Sequence, residues 1–326
     1  MQTIPFGRTG LSLSQVALGT ANFGQRWGHG ADEAQSAAIL DAYAEAGGNV
    51  LDTADIYQFG ESEQILGRLL AGGRREAFFL ATKYTNGAVP KAGPLVTGNS
   101  RRAMVASVEA SLRRLQTDRL DLLWVHHPDG RTSSEEIVRG LDDLARAGKI
   151  LYAGLSNFPA WRVARAVTLA ELTRSVPITA VQFEYSLVQR TPESELLPAT
   201  QALGLAAWTW SPLGGGMLTG KYRRGEQGRA EALGGKVFQP EDSAQRGAVL
   251  DAVLAVASES RASPDQVAIA WVAGRGVLPL IGPRSLEQLR SNLGATAVVL
   301  SDAQRARLDA ASALASTAPV QAPTVA

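Results

Sequence analysis

Residues 120–156 read LDLLWVHHPDGRTSSEEIVRGLDDLARAGKILYAGLS. The runs Leu120–His126 and Ile150–Ser156 are short, apolar and rich in β-formers, and the stretch Ser133–Ala147 between them carries apolar residues at helical spacing. Two strands joined this way are parallel, because a parallel neighbour is reached only through a crossover of a dozen or more residues.

The same alternation extends in both directions. Strands are expected at Val16–Leu18, Val50–Asp52, Phe78–Lys83, Ile178–Glu184, Leu205–Trp210 and Val277–Ile281 besides the two quoted. In Ser100–Leu115 the residues Met104, Val105, Val108, Leu112 and Leu115 fall on one helical face. Similar stripes run through Asp32–Ala46, Pro159–Ser175 and Pro192–Leu203. Eight strand-then-helix units in series predict an α/β protein, a closed (β/α)8 TIM barrel forming one domain over residues 1–326. Ahead of it, Gly7-Arg-Thr-Gly10 between Thr3–Phe6 and Leu11–Ser14 predicts a β-hairpin that plugs the bottom. The Gly-rich segment between Gly214 and Ser243 is too long for an ordinary connection and is expected to be a lid. An extra C-terminal helix is expected over Asp302–Ala313, followed by a flexible tail at 314–326.

Composition narrows the function. The chain has 32 Lys and Arg against 31 Asp and Glu, a net charge of +1, so nothing calls for nucleic acid or an acidic membrane as partner. With 0 Cys, disulfides, thiolate nucleophiles and cysteine-ligated metals are excluded, and no metal site is expected. The N-terminus lacks a cationic and apolar leader, and nowhere do about 18 apolar residues run together, so a cytoplasmic location is the expectation.

In a barrel of this kind chemistry belongs at the C-terminal ends of the strands. Asp52 ends the second strand, Tyr57 follows in the next loop, Lys83 ends the third strand and His126 the fourth. Any one of them alone reads as an ion-pair member, a loop aromatic or a core histidine; an acid, a phenol, an ammonium and an imidazole on one mouth read as a proton-transfer site. A free tyrosine is a reluctant acid, but Lys83 beside Tyr57 would stabilise its phenolate, and Asp52 would keep the ammonium charged.

The stretch Asn49–Tyr57 resembles the Asp-Thr-Ala-x-x-Tyr signature of the aldo-keto reductases. The likeness continues through Gly60–Glu63, Ala81–Lys83, Asp121–Pro128, Gly154–Phe158, Val181–Phe183, Trp210–Gly214 and Ile281–Ser285 as far as Asn292, which is nearly the whole chain. The resemblance implies NADPH-dependent reduction of aldehydes or ketones, with Asp52, Tyr57, Lys83 and His126 as catalytic tetrad and a small carbonyl or alcohol as substrate. It is similar to the channel β-subunit-like branch, and the alternative is a regulatory subunit that senses NADPH with little turnover.

No Gly-x-Gly-x-x-Gly follows a strand and opens a helix, so a Rossmann site is not expected. The resemblance instead implies NADPH/NADP+ extended across the mouth. Ser156, Asn157 and Gln182 would hold the carboxamide, and Trp210 would stack on the nicotinamide, with Gly19, Thr20 and Asp52 nearby. Ser211, Pro212, Leu213, Gly214, Gly216 and Lys221 would line the pyrophosphate, where glycine permits close approach and lysine neutralises charge. Gly282, Arg284 and Gln288 match positions near the 2′-phosphate, and Asn292 would contact adenine. Phe23, Trp27, Trp124 and His127 are the candidate walls of an aromatic substrate pocket. By strand parity His127 points to the side opposite His126 and could face outward.

Overall fold

The computed structural model describes residues 1–226 and 238–314. Its first two strands, β1 (Thr3–Pro5) and β2 (Ser12–Ser14), pair antiparallel with Ile4 opposite Leu13. The chain then runs through β3 (Ala17–Gly19), α1 (Glu33–Glu45), β4 (Val50–Asp52), α2 (Glu61–Leu69), β5 (Phe79–Tyr84), α3 (Arg101–Leu115), β6 (Leu120–Val125) and α4 (Ser134–Arg146). It continues with β7 (Ile150–Ser156), α5 (Ala160–Thr173), β8 (Ile178–Glu184), α6 (Leu196–Leu203) and β9 (Ala206–Trp210). Last come α7 (Ala244–Ser260), α8 (Pro264–Ala273), β10 (Leu278–Ile281), α9 (Leu286–Gly294) and α10 (Asp302–Ala311). Strands β3 to β10 are all parallel and close on themselves, β10 pairing with both β9 and β3. The barrel and the hairpin are therefore those the alternation predicts.

Local chemistry explains the boundaries. In α4, Ser133 caps the first turn by accepting the Glu136 N–H, while Glu135 and Glu136 suit its positive end. Its face of Ile137, Val138, Leu141 and Leu144 is buried against the barrel. Every residue of β5 is buried, as expected of a strand with helices outside and a filled lumen within.

Alternation along the strands divides the core. Val50, Phe79, Leu122, Trp124, Trp208 and Leu278 pack inside the barrel with Phe6 and Leu13 of the hairpin. A larger apolar cluster lies between strands and helices. Phe6 stoppers the N-terminal end: its ring lies 5.1 Å from Phe79, 5.5 Å from Tyr152 and 6.0 Å from Trp208, all edge-on. Burying a ring of that size contributes about 1.5–3 kcal/mol.

Three features depart from the expectation. Helix α2 carries Ile65, Leu66 and Leu69 on a short stripe that follows directly on the Tyr57 turn. Two helices rather than one separate β9 from β10: α7 ends at left-handed Arg261, and Pro264 opens α8 after the Ser263 cap. Of the lid expected at Gly214–Ser243, residues 214–219 form tight 3-10 turns kinked at left-handed Gly215 and Gly216, and 227–237 lie outside the described residues. The tail expected from 314 likewise lies, from 315 on, outside them. Among the described residues no helix is long and apolar enough to cross a membrane.

Candidate active site

Four polar residues meet at the C-terminal mouth of the barrel. Asp52 is the last residue of β4, Lys83 lies one residue before the end of β5, Tyr57 opens a 3-10 turn after β4, and His126 directly follows β6. The Lys83 ammonium touches Asp52 Oδ2 and donates to Thr53 O at 3.0 Å and to the Tyr57 hydroxyl at 3.1 Å. Asp52 and Lys83 are 0% and 1% exposed, which makes their pairing obligatory: an unpaired charge there would carry a large desolvation cost. Burial alone would depress Lys83, but the Asp52 carboxylate and Tyr57 outweigh it and hold the lysine above its ordinary value. The other carboxylate oxygen, Asp52 Oδ1, accepts the Trp124 indole N–H and the Gln182 amide N–H, each at 3.0 Å.

The Tyr57 ring meets the His126 ring nearly perpendicularly, centroids 6.1 Å apart. His126 is buried, and burial, then the neighbouring Lys83 charge and His127, holds it well below the ordinary imidazole value, so it is neutral. The amide nitrogen of Asn86 lies 3.2 Å from its Nδ1. An amide NH2 only donates, so Nδ1 accepts and the ring proton resides on Nε2. Such a ring is a hydrogen-bond donor poised without charge.

A second polar set adjoins the first. Asn157, at φ +62°, donates from Nδ2 to His126 O at 2.9 Å and Ser156 Oγ at 3.0 Å, while its Oδ1 accepts Trp210 Nε1 at 3.0 Å. Its backbone N–H reaches Gln182 O at 2.8 Å, so the ends of β7, β8 and β9 share one network. Ser211, Pro212 and Leu213 then lead into a turn where Gly214 and Gly216 have φ of +55° and +93°. The φ of Gly216 favours glycine, and a Cβ there would also stand 2.8 Å from Lys221 Nζ and displace the end of that lysine.

The chain matches the model of the aldo/keto reductase family over residues 15–313. It belongs to the aldo/keto reductase family. Among curated relatives it is 37% identical over 310 residues to the uncharacterized oxidoreductase YrpG of Bacillus subtilis, covering 92% of each chain. It is 35% identical to norsolorinic acid reductase of Aspergillus flavus, over 92% of this chain and 78% of the relative. It is 34% identical to the aryl-alcohol dehydrogenase [NADP(+)] of Phanerodontia chrysosporium, over 90% of this chain and 81% of the relative. This aldo/keto reductase is thus an oxidoreductase.

The remaining residues singled out in the sequence fall in various places. Gly19 ends β3, and Thr20 after it is wholly buried, its hydroxyl 3.0 Å from Ser62 Oγ. Gly282 and Arg284 follow β10; Gln288 accepts the Arg284 backbone N–H at 2.9 Å, and the Arg284 guanidinium makes no ion pair among the described residues. Asn292 donates to Asp265 at 2.7 Å, an acid that also takes Ser291 Oγ at 2.8 Å. Trp27 packs edge-on to Tyr57 at 6.1 Å.

Two of the expected pocket walls are elsewhere. Phe23 and Trp124 are both 0% exposed: Phe23 sits in the outer core, and Trp124, an inward-facing strand residue, packs on Trp208 inside the barrel beneath Asp52. Nor does His127 face outward. The strand ends at Val125, so parity no longer governs it, and its ring stacks on His126 at 4.2 Å with Nδ1 3.2 Å from Asn157 Nδ2.

Sequence reasoning passed over Asn86, Asp55, Gln58 and Asp265. Asp55 stands inside the stretch that marked Asp52, but nothing in its spacing distinguished it. It is buried, its Oδ2 accepts the Gly87 N–H at 3.1 Å, and burial, reinforced by the Glu63 carboxylate, pushes it up to about 7. A cavity of about 350 Å³ at the other end of the barrel, lined by Phe6, Arg8, Trp208 and Arg275 among others, touches none of these groups.

Proposed function

We propose that this aldo/keto reductase catalyses the NADPH-dependent reduction of aldehydes or ketones, reversibly, with Tyr57 as proton donor. The observation that carries the reading is the contact of one buried ammonium, Lys83, with both the Asp52 carboxylate and, at 3.1 Å, the Tyr57 hydroxyl.

A carbonyl oxygen that accepts hydride needs a proton as its negative charge develops. Tyr57 gives that proton from its hydroxyl, and the phenolate left behind is stabilised by the Lys83 ammonium already hydrogen-bonded to it. Asp52 keeps the ammonium in place, and Trp124 and Gln182 satisfy the remaining carboxylate oxygen, so no water is needed in the enclosure. Neutral His126, its Nε2 carrying the hydrogen, donates to the carbonyl oxygen and orients it.

The residues fit a nicotinamide dinucleotide. Gly214 and Gly216 turn the chain at φ of +55° and +93° ahead of Lys221, where a pyrophosphate would lie, and Arg284, whose guanidinium makes no ion pair among the described residues, would meet a 2′-phosphate. Ser156, Asn157 and Gln182 would hold the carboxamide, with Trp210 against the ring, Gly19, Thr20 and Gly282 beside it, and Asn292 at the adenine. When bound, NADPH supplies the hydride. An aromatic aldehyde is the substrate to try first: Trp27, Tyr57 and His127 surround the mouth, and one relative is named for aryl alcohols.

The test is NADPH consumption with 4-nitrobenzaldehyde. Turnover that disappears in Tyr57→Phe, while NADPH still quenches tryptophan fluorescence, supports the reading. NADPH binding without turnover of any aldehyde or ketone would favour a sensor subunit instead.

A further inference from the structure

Residue 58 is a glutamine in a conformation that favours glycine. Its φ is +51°, and Phe59 beside it has φ +53°. Two consecutive L-residues in the left-handed region are strained, and such strain persists only where surroundings over-determine it. Here the determinant is the side chain. Gln58 is 0% exposed; its Nε2 donates to Ala21 O at 3.2 Å and His29 O at 3.1 Å, and its Oε1 accepts the Trp27 N–H at 2.7 Å.

Those three partners lie on the loop between β3 and α1. The loop is pulled shut around the amide: Gly24 N–H bonds Ala31 O, and Ala31 N–H bonds Asn22 O, each at 2.7 Å. At Gly30, φ +132°, a Cβ would lie 2.0 Å from Gly24 O and 3.2 Å from the Gln58 nitrogen itself, so the backbone is wrapped on the side chain with no spare room. Glu61 secures the outside by accepting the Gln25 and Arg26 N–H groups at 2.8 and 3.0 Å. What the loop presents to the mouth is Trp27, whose indole stands at 81° to the Tyr57 ring. On another edge of the phenol is His126, at 84°.

We infer that Gln58 is a specificity-determining residue, which tethers the β3–α1 loop so that Trp27 forms a fixed wall beside Tyr57 for flat aromatic carbonyl substrates. This rests on the reduction proposed above. Gln58 does not touch the reacting atoms; it acts through Trp27. A tethered indole offers a preformed face to a planar ring and nothing particular to a short aliphatic chain, so its loss affects the two classes unequally.

The experiment compares wild type with Gln58→Gly, which relieves the left-handed strain while deleting the tether, so the turn itself survives. With 4-nitrobenzaldehyde, KM rises about tenfold or more while kcat stays within about twofold; with propanal, both stay within about twofold. In a Trp27→Ala background the same substitution adds no further loss in KM, because the residue through which it acts is gone. Equal loss with both aldehydes, a fall confined to kcat, or additive losses in the double variant would each overturn the inference. Amide hydrogen exchange of residues 21–31 provides a readout independent of activity and must rise in Gln58→Gly. Absence of turnover in the wild type would defeat the reduction reading, and unchanged exchange would defeat the tether.

Discussion

The side-chain amide of Gln182 donates to Asp52 Oδ1 at 3.0 Å, so the residue proposed to hold the carboxamide also holds the buried carboxylate beneath Lys83. On that proposal, cofactor seat and proton machinery share a residue. Gln182→Leu removes one hydrogen bond to a buried charge, worth about 1.5–3 kcal/mol. Urea unfolding should show that loss, and NADPH titration should show weaker binding; a variant that loses neither would separate the two roles.

Tyr57→Phe deletes only a hydroxyl at the edge of the mouth. Its carbonyl reduction should fall by roughly 10²–10⁴, the usual contribution of a positioned acid, with NADPH affinity unchanged. Single-turnover absorbance of NADPH distinguishes this from a defect in binding, and near-normal turnover would reject the mechanism.

Arg284→Ala takes away a guanidinium that has no ion-pair partner among the described residues. Loss of a charged hydrogen bond should weaken NADPH by about 10- to 100-fold and leave NADH nearly as before. Fluorescence titration with the two cofactors checks it, and equal losses would mean that no phosphate sits there.

Asp55 makes stability depend on pH in a direction that can be worked out. Its folded value, about 7, lies above the ordinary 3.8, so the fold holds its proton better than the unfolded chain does. That contribution is complete below about pH 3.8 and is lost as the pH rises through about 7. Asparagine cannot ionise and can still accept the Gly87 N–H. From about pH 5.5 to about pH 8, Asp55→Asn should therefore gain on the wild type by about 2 kcal/mol in unfolding free energy. A difference independent of pH would show that Asp55 remains ionised throughout, with Arg114 prevailing over Glu63.

The barrel was legible because each strand is short, apolar and flanked by a striped helix, a pattern that calls for parallel strands, and because eight such units in series suit a closed barrel. The positions of Asp52, Lys83 and His126 followed from where the strands end. What escaped notice depends on contacts between distant segments. Trp124 reads as a candidate pocket wall, and only the closed lumen shows its indole turned onto Asp52. Gln58 bears no mark in the sequence, since its role arises from a loop that begins more than thirty residues earlier. Helix α2 was missed for a local reason: it begins directly after three left-handed residues, Gln58, Phe59 and Gly60, and Gly60 offers no capping side chain.

The Phe6 stopper has a kinetic corollary. With the N-terminal end of the barrel closed by rings packed edge-on, every molecule that reaches Lys83 must pass the same doorway. On the reading proposed above, a dinucleotide would use that doorway as well as the carbonyl, and the expected order is a queue: nicotinamide in first, alcohol out before the spent nucleotide.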